Sequence, residues 1–164
     1  MNSIRRHIIL LIWGIFGVVV AGAQVPKDTL AAVFHIGDHT EAFEQLFLKY
    51  NHLASQLDQD HERAYAYWTD MLQKMDMYSE EVGVDLDGLQ LLLYAFWAPN
   101  GQLEHLAYFL KPNSKYIDEV TLNGFFQGFM KTYRLPVTLE KPTYLFTHAA
   151  FPTVAKRLSS LKKH

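Results

Sequence analysis

The sequence predicts an α+β domain: a three-stranded antiparallel sheet within a strand–strand–helix–strand (ββαβ) unit, preceded by two helices that pack on the sheet. Residues 89–97 (LQLLLYAFW) form an apolar run without polar alternation, which is typical of a strand buried on both faces. Asn100-Gly101 follows, and this pair is the strongest short signal for a hairpin turn. Apolar residues recur at helical spacing on both sides of the hairpin, which predicts the helices.

The composition fits a packed domain. Hydrophobic residues make up 49% of the 164 residues and charged residues only 20%, which is enough apolar material for a core and excludes a disordered chain. The chain has no cysteine, so disulfide scaffolds, thiolate zinc sites and thiol catalysis are excluded as well.

Residues 1–23 have the features of a signal peptide. Arg5 and Arg6 precede an apolar stretch at 8–20, and residues 21–23 form an A-x-A cleavage signal. The apolar stretch is short for a membrane span, which needs about 20 residues; the alternative is an uncleaved anchor. Cleavage predicts an exported protein, periplasmic or secreted, with no stable membrane span.

Cleavage also shifts the charge balance. It removes two arginines and no acid, so the net charge moves from −2 to −4. An acidic balance argues against nucleic acid as a partner, because phosphate contact needs a basic face.

The mature chain divides into a lead-in segment (24–37), a single α+β domain (38–155) and a basic tail (156–164). In the lead-in, residues 33–36 are either a docked strand or an apolar clamp. A first helix begins near Asp38 or Thr40, both good N-cap residues, and its apolar stripe is predicted to continue as far as Leu57. The stripe consists of Phe43, Leu46, Phe47, Tyr50, Leu53, Ala54 and Leu57.

The second helix has its own stripe, which ends near Val82 before a C-terminal Gly83. Asp58 or Asp60 supplies its N-cap. Two separate stripes favour a helical hairpin over one long kinked helix, since neither helix is stable without packing. The sequence leaves open whether these stripes belong to the core or form a binding surface.

After the turn, residues 102–110 are mixed in polarity, which favours an edge strand. A third helix is predicted at 116–133, with Asn113 or Ser114 near its cap. Gly124 and Gly128 indicate a close approach of this helix to the sheet; the alternative is a membrane-type dimer face. Residues 143–151 (TYLFTHAAF) form the last strand, and the basic tail is predicted to be a frayed, solvated end.

The third helix returns the chain so that the last strand lies antiparallel beside the first strand of the unit. The predicted sheet order is therefore second, first, third. We expect the third helix to cover one face of this sheet and the two N-terminal helices to cover the other.

This arrangement over residues 89–151 resembles the C-terminal domain of TonB and its relatives. The matching features are the Asn100-Gly101 turn, the helix at 116–133 and the aromatic closing strand at 144–151. Such transducers carry a membrane anchor and a long proline-rich spacer, whereas this chain has neither a spacer nor an uncleaved anchor as its expected form. The resemblance implies a free relative of the domain that binds an extended peptide by strand addition at a sheet edge.

Histidines raise the questions of metal binding and catalysis. His35 and His39 lie four apart, but Gly37 separates them and no third ligand converges, so no metal site is predicted. His105 and His148 fall on strands two and three, and Thr143 and Thr147 are candidate nucleophiles by proximity alone. No catalytic residue and no cofactor is predicted. The acidic cluster at Glu80, Glu81, Asp85 and Asp87 is interpreted as a solvated loop.

Three functions follow from these observations. The first is a non-catalytic exported binding module, with Tyr144, Phe146 and His148 lining an open sheet edge and an envelope protein or peptide as the partner. The second is a small periplasmic enzyme that uses His105 and His148. The third is a structural homodimer formed through Leu122, Phe126 and Met130; the oligomeric state itself is not predicted.

Overall fold

The computed structural model describes residues 30–162, so the predicted signal peptide lies outside the described residues. The chain order mixes helices and strands throughout. It is β1 (Val33–His35), α1 (Thr40–Leu46), β2 (Asn51–His52), α2 (His61–Val82), β3 (Gln90–Trp97), β4 (Leu103–Leu110), α3 (Glu119–Thr132), β5 (Thr143–Ala150) and α4 (Val154–Leu161). Short 3₁₀ turns follow β1 and β2, at Ile36–Asp38 and Leu53–Gln56.

The sheet has five strands in the order β1-β4-β3-β5-β2. Its centre is as predicted: β3 lies between β4 and β5 and is antiparallel to both. The prediction of only three strands is wrong, because β1 and β2 add a short parallel strand at each edge. Strands of two and three residues give too short a pattern for sequence periodicity to reveal.

The lead-in segment contributes one of these edges. Val33 and His35 pair with Leu106 and Tyr108, and the Leu106 N–H donates to the Ala32 carbonyl at 2.8 Å. The docked-strand alternative for residues 33–36 is therefore the correct one. As a consequence, β4 is not an open edge over its middle, contrary to the expectation from its mixed polarity.

The predicted first helix is much shorter than expected. It ends at Leu46, and Asn51 and His52 are extended as β2, which pairs with Thr143 and Tyr144. The seven-member apolar stripe predicts one helix because 3₁₀ turns and α-helices have a similar spacing over a few residues. In the structure this stripe is divided between the two faces of the sheet.

The helices are also arranged differently from the prediction. Helices α2 and α3 share one face of the sheet and contact each other through Tyr78 with Phe125 and Phe129, while α1 lies on the other face. The predicted hairpin of the first two helices is therefore wrong. The chain crosses the sheet edge at β2, which places α1 and α2 on opposite faces.

The helix ends follow capping chemistry. The Asp60 carboxylate accepts a hydrogen bond from the Arg63 N–H at 2.9 Å and begins α2, and Gly83 ends it with φ +71°. Helix α3 is capped by Asp118 rather than by Asn113 or Ser114, since the Asp118 carboxylate accepts from the Thr121 N–H at 2.9 Å.

Two apolar clusters hold the sheet between the helices. The larger lies between the sheet and α2 with α3 and includes Trp68, Trp97 and Phe126; the smaller lies under α1. The smaller cluster comprises Phe34, Phe43, Leu46, Phe96 and Ala107. The apolar face of α2 is thus part of the core rather than a binding surface.

The predicted dimer line on α3 faces inward. Leu122, Phe126 and Met130 are all buried in the larger cluster. They are needed for packing against the sheet, so the structure contradicts their use as a homodimer surface.

Of the two helix glycines, only Gly128 approaches another element. A Cβ at Gly128 would meet the Tyr78 hydroxyl of α2, whereas Gly124 has open space around it. The prediction of a close approach to the sheet is therefore wrong: the one close approach is between helices.

The C-terminal residues are more ordered than predicted. Val154–Leu161 form the helix α4, capped by Thr153, instead of a frayed end. Among residues 30–162 no helix is long and apolar enough to cross a membrane.

Candidate binding site

The outer edge of β5 is open over most of its length. Strand β2 pairs with β5 only at Thr143 and Tyr144, and within the described residues no strand lies beside residues 145–150. The Phe151 N–H donates to the Leu89 carbonyl, so odd-numbered residues of β5 point their backbone groups toward β3. The even-numbered residues Phe146, His148 and Ala150 therefore direct their N–H and C=O groups outward.

The same even-numbered residues place their side chains on the sheet face that carries α1. This follows from strand alternation, with the odd-numbered Leu145 and Ala149 buried on the other face against α2 and α3. Tyr144 is half-buried, Phe146 is 42% exposed and His148 is exposed. All three predicted binding residues thus lie in one row.

Aromatic rings form a stack along this row. The Tyr94 ring of β3 stacks on the Phe146 ring with centroids 4.5 Å apart and planes 10° apart, and the Tyr144 ring lies 6.5 Å from Phe146 at 11°. Burial, followed by the charge of nearby Tyr144, raises the pKa of Tyr94, so its ring is neutral at ordinary pH. The stack is therefore an apolar surface with polar hydroxyl tips.

Helix α1 covers one end of this face and leaves the other end open. Phe47 packs edge-on against Tyr144 at 5.0 Å and Phe43 against Tyr94 at 5.1 Å. Phe146 remains partly exposed beside them because α1 is only seven residues long. The accessible part of the stack is thus next to the open backbone edge.

The sequence did not single out Tyr94 or Phe109 as parts of this face. Tyr94 lies on the central strand, which the apolar run predicted to be covered on both faces, and it is half-buried. Phe109 of β4 is exposed at the far side of the same face, where His35 lies against it at 5.5 Å. Tyr94 pairs with Phe146 in the register of β3 and β5, and paired residues of neighbouring strands place their side chains on the same face. This pairing is the signal that could have placed Tyr94 on the face.

The structure does not bring the two strand histidines together. His105 pairs with Phe96 and His148 with Leu92, so they share a face but lie on opposite sides of β3. Their partners are four residues apart, which separates the two levels by about 13 Å along the strand. The His105 Nδ1 lies 3.1 Å from the Ala31 carbonyl.

The candidate hydroxyls do not complete such a site either. The Thr143 hydroxyl is buried and donates to the Lys141 carbonyl at 2.8 Å. Thr147, being odd-numbered, has its side chain on the face opposite His148. The described residues therefore do not assemble a histidine–hydroxyl pair from these four positions.

The histidines near the N-terminus serve local packing. His35 ends β1, and His39 precedes α1 with its ring edge-on to Phe34 at 5.8 Å. Within residues 30–162 no group of three or more histidine, aspartate or glutamate side chains is placed to hold a metal ion.

The acidic cluster is not a single loop as predicted, because Glu80 and Glu81 lie in the last turn of α2 and only Asp85 and Asp87 follow it. Two lysines contact the cluster. Lys156 Nζ lies 3.1 Å from the Glu80 carboxylate and 3.8 Å from Asp87. Asp85 is paired with Lys115, and that hydrogen bond lowers the pKa of Asp85. These contacts fasten the loop after α2 to α4 and to the segment before α3.

A separate groove that the sequence did not indicate lies beside the start of β4. It has a volume of about 660 Å³ and is lined by polar side chains that include Gln102, Gln127 and Lys131. In its wall the Tyr50 hydroxyl donates to the Glu104 carboxylate at 2.6 Å, and burial together with this bond raises the Tyr50 pKa. The hydrogen bond between Tyr50 and Glu104 joins the segment after α1 to β4, although the two residues are far apart in sequence.

Comparison of the chain with models of protein families, with curated proteins and with solved structures finds no match.

Proposed function

We propose that this protein is an exported, non-catalytic binding module that takes up an extended peptide along the outer edge of β5. The observation that carries the proposal is the coincidence of an unpaired backbone edge at residues 146–150 with an aromatic stack on which Phe146 of the same strand is the exposed ring. Strand addition uses both kinds of group: backbone hydrogen bonds give affinity, and side-chain surfaces give specificity.

The edge also lacks the devices that usually prevent pairing. Exposed edge strands are commonly protected by charged side chains, proline or bulges. Thr143–Ala150 contains no charged residue and no proline, and its register with β3 is continuous. On the other side of the sheet β1 covers the middle of β4, at 106–108, so among the described residues the longest continuous open edge is 145–150 of β5.

The preferred ligand follows from the surface. A strand added next to β5 would place every second side chain on the face of Phe146 and Tyr144. Aromatic or β-branched residues at these alternate positions would pack on the stack, since such cross-strand pairs stabilise sheets. The expected partner is therefore an extended segment of an envelope protein or peptide, as the resemblance to TonB C-terminal domains implies.

The direction of the backbone groups makes a sharp test possible. With a capped peptide of alternating threonine and phenylalanine, lysine-flanked for solubility, we expect amide exchange at Phe146, His148 and Ala150 to slow about tenfold or more. Leu145 and Thr147 should not change, because their N–H groups already bond to β3. Hydrogen exchange followed by NMR measures this; equal changes at odd and even positions, or none, would contradict the proposal.

Variants separate edge binding from other modes. His148→Pro removes an outward N–H at an edge position that tolerates proline, and we expect it to abolish peptide binding while the odd-numbered amides stay protected. Phe109→Ser is the matched control, since Phe109 is exposed on the same face but remote from the edge. If Phe109→Ser weakened binding as much as His148→Pro, the ligand would lie across the face instead. Peptide-independent dimers lost in His148→Pro would show self-pairing of the edge.

Export is a separate part of the proposal. It is supported by the charged, apolar and A-x-A sequence features of residues 1–23. Cell fractionation together with N-terminal sequencing of the mature protein tests it: a chain that begins at Gln24 and leaves the cytoplasm supports export, and a cytoplasmic chain that begins at Met1 would contradict it.

A further inference from the structure

Helix α4 presents an apolar stripe that nothing in the described part of the chain covers. Val154, Leu158 and Leu161 are 62%, 56% and 73% exposed. At 100° per residue these three positions fall within a sector of about 60° on one side of the helix. Exposed apolar side chains scattered singly are common, but three aligned on one short helix form a continuous patch.

The opposite side of α4 fastens the helix to the body of the protein. The buried carboxylate of Asp76 accepts a hydrogen bond from the Thr153 N–H at 2.7 Å, just before α4 begins. Lys156 reaches the Glu80 carboxylate of α2 at 3.1 Å. Helix α4 is therefore held on α2 by its polar side, with its apolar side directed away from the molecule.

Positive charges border the stripe on both sides. By helical geometry Arg157 and Lys162 lie about 70° from the stripe centre, on opposite sides of it. Both are exposed, and neither makes an ion pair within residues 30–162. Lys156, in contrast, is neutralised by the acids of α2. The free cations of α4 are thus those placed at the borders of its apolar side.

We infer that α4 binds the surface of a membrane that contains anionic lipids. An apolar stripe bordered by lysine and arginine is the pattern of helices that lie in the membrane interface, where the stripe enters the acyl boundary and the cations meet lipid phosphates. Binding through α4 would orient the protein on the bilayer. This function is independent of the peptide edge on β5.

A second copy of the chain fits the stripe less well. Three partly exposed side chains bury a few hundred square ångströms at most, whereas a stable dimer buries about 800 Å² per partner. A two-fold contact through the stripe would also bring Arg157 and Lys162 of both copies to one seam, where like charges repel. A lipid surface supplies the opposite charge along both borders.

Vesicle flotation tests the inference. We expect the mature chain, which begins at Gln24, to float with vesicles of phosphatidylcholine and phosphatidylglycerol in equal parts and not with phosphatidylcholine alone. The double substitution Leu158→Ser with Leu161→Ser should weaken binding at least tenfold, since the apolar contribution is lost. Val120→Ser is the matched control, because Val120 is an even more exposed apolar side chain but lies on α3; it should bind as the parent does.

The charges are tested separately with variants that keep the helix intact. Arg157→Gln and Lys162→Gln should each weaken binding about fivefold, and together they should remove the preference for phosphatidylglycerol. Failure of the parent chain to float, or equal binding to both kinds of vesicle, would overturn the inference. So would a dimer in light scattering that the two serine substitutions dissociate. Peptide binding at β5 in all these variants should be unchanged, which distinguishes this inference from the proposed function.

Discussion

Gly101 and Gly124 differ in backbone conformation and in the space around them. Gly101 closes the β3–β4 turn with φ +80°, and a Cβ there would meet the Leu135 backbone, whose N–H donates to the Gly101 carbonyl at 2.8 Å. Gly124 lies in α3 with nothing within 4 Å of a Cβ.

The same substitution should therefore have opposite effects at the two sites. We expect Gly101→Ala to lower the free energy of unfolding by about 1–3 kcal/mol, from backbone strain and the lost close approach. Gly124→Ala should raise it by about 1 kcal/mol, because alanine is the better helix former. Urea unfolding measures both, and effects of the same sign would contradict this account.

Protonation of His52 destabilises the folded protein. Burial, and then the charge of neighbouring His61, lowers the pKa of His52 below its ordinary 6.5. Its Nδ1 accepts a hydrogen bond from the Ala54 N–H at 3.3 Å, which the protonated ring cannot do. The folded protein thus takes up this proton at lower pH than the unfolded chain does.

The sign of the pH dependence follows. Between the folded and unfolded pKa values the unfolded chain binds more protons, so the stability contribution is present above about pH 6.5 and is lost as pH falls below it. We expect His52→Asn, which keeps an acceptor for Ala54, to flatten the fall of the unfolding free energy on acidification. His61→Gln should flatten it in part. An unchanged pH profile in both variants would show that His52 does not contribute.

At the scale of elements, Asp76 joins two helices. Its carboxylate is buried in α2, receives the Thr153 N–H at 2.7 Å and lies 3.8 Å from Lys156 Nζ. The position therefore connects α2 to α4 through a backbone group and a charge.

Removing this carboxylate should loosen α4 specifically. We expect Asp76→Ala to cost about 1–3 kcal/mol, because a buried N–H is left without its acceptor, and to speed amide exchange along α4. Asp85→Ala is the control, since Asp85 is an exposed acid of the same cluster and should leave α4 exchange unchanged. Unaltered α4 exchange in Asp76→Ala would mean that other contacts hold the helix.

The elements that the sequence predicted well are those with long, regular patterns. Runs of eight residues or more predict α2, α3 and the central order of β4, β3 and β5. The turn between β3 and β4 follows from the Asn100-Gly101 pair. The elements it missed are short. Two-residue β2 and three-residue β1 are stabilised by pairing with distant strands, and such long-range partners leave no local period.

For the candidate binding site, too, the sequence predicts one part and misses another. Strand alternation placed Tyr144, Phe146 and His148 on one face of β5, as the structure has them. Whether that edge is free depended on β1 and β2, which cover parts of both outer strands. The basic residues near the C-terminus predict a solvated tail, and this interpretation misses the apolar side of α4.

On the scale of the whole molecule, the segment from β1 to β2 is one continuous strap. It pairs with β4 at one edge, crosses one face of the sheet as α1 and pairs with β5 at the other edge. Five strands span about 19 Å between the outermost axes, and the strap bridges that width once.

This topology couples the two edges through chain entropy. Val33 pairs with Leu106 and Asn51 with Thr143, so each pairing closes a loop of about 70 to 90 residues when the other is absent. Once one end of the strap is fastened, the other end is confined within a sheet's width of its partner, and the remaining closure costs far less. The two smallest strands among the described residues are therefore expected to act as a cooperative pair, because the attachment of each lowers the entropic cost of attaching the other.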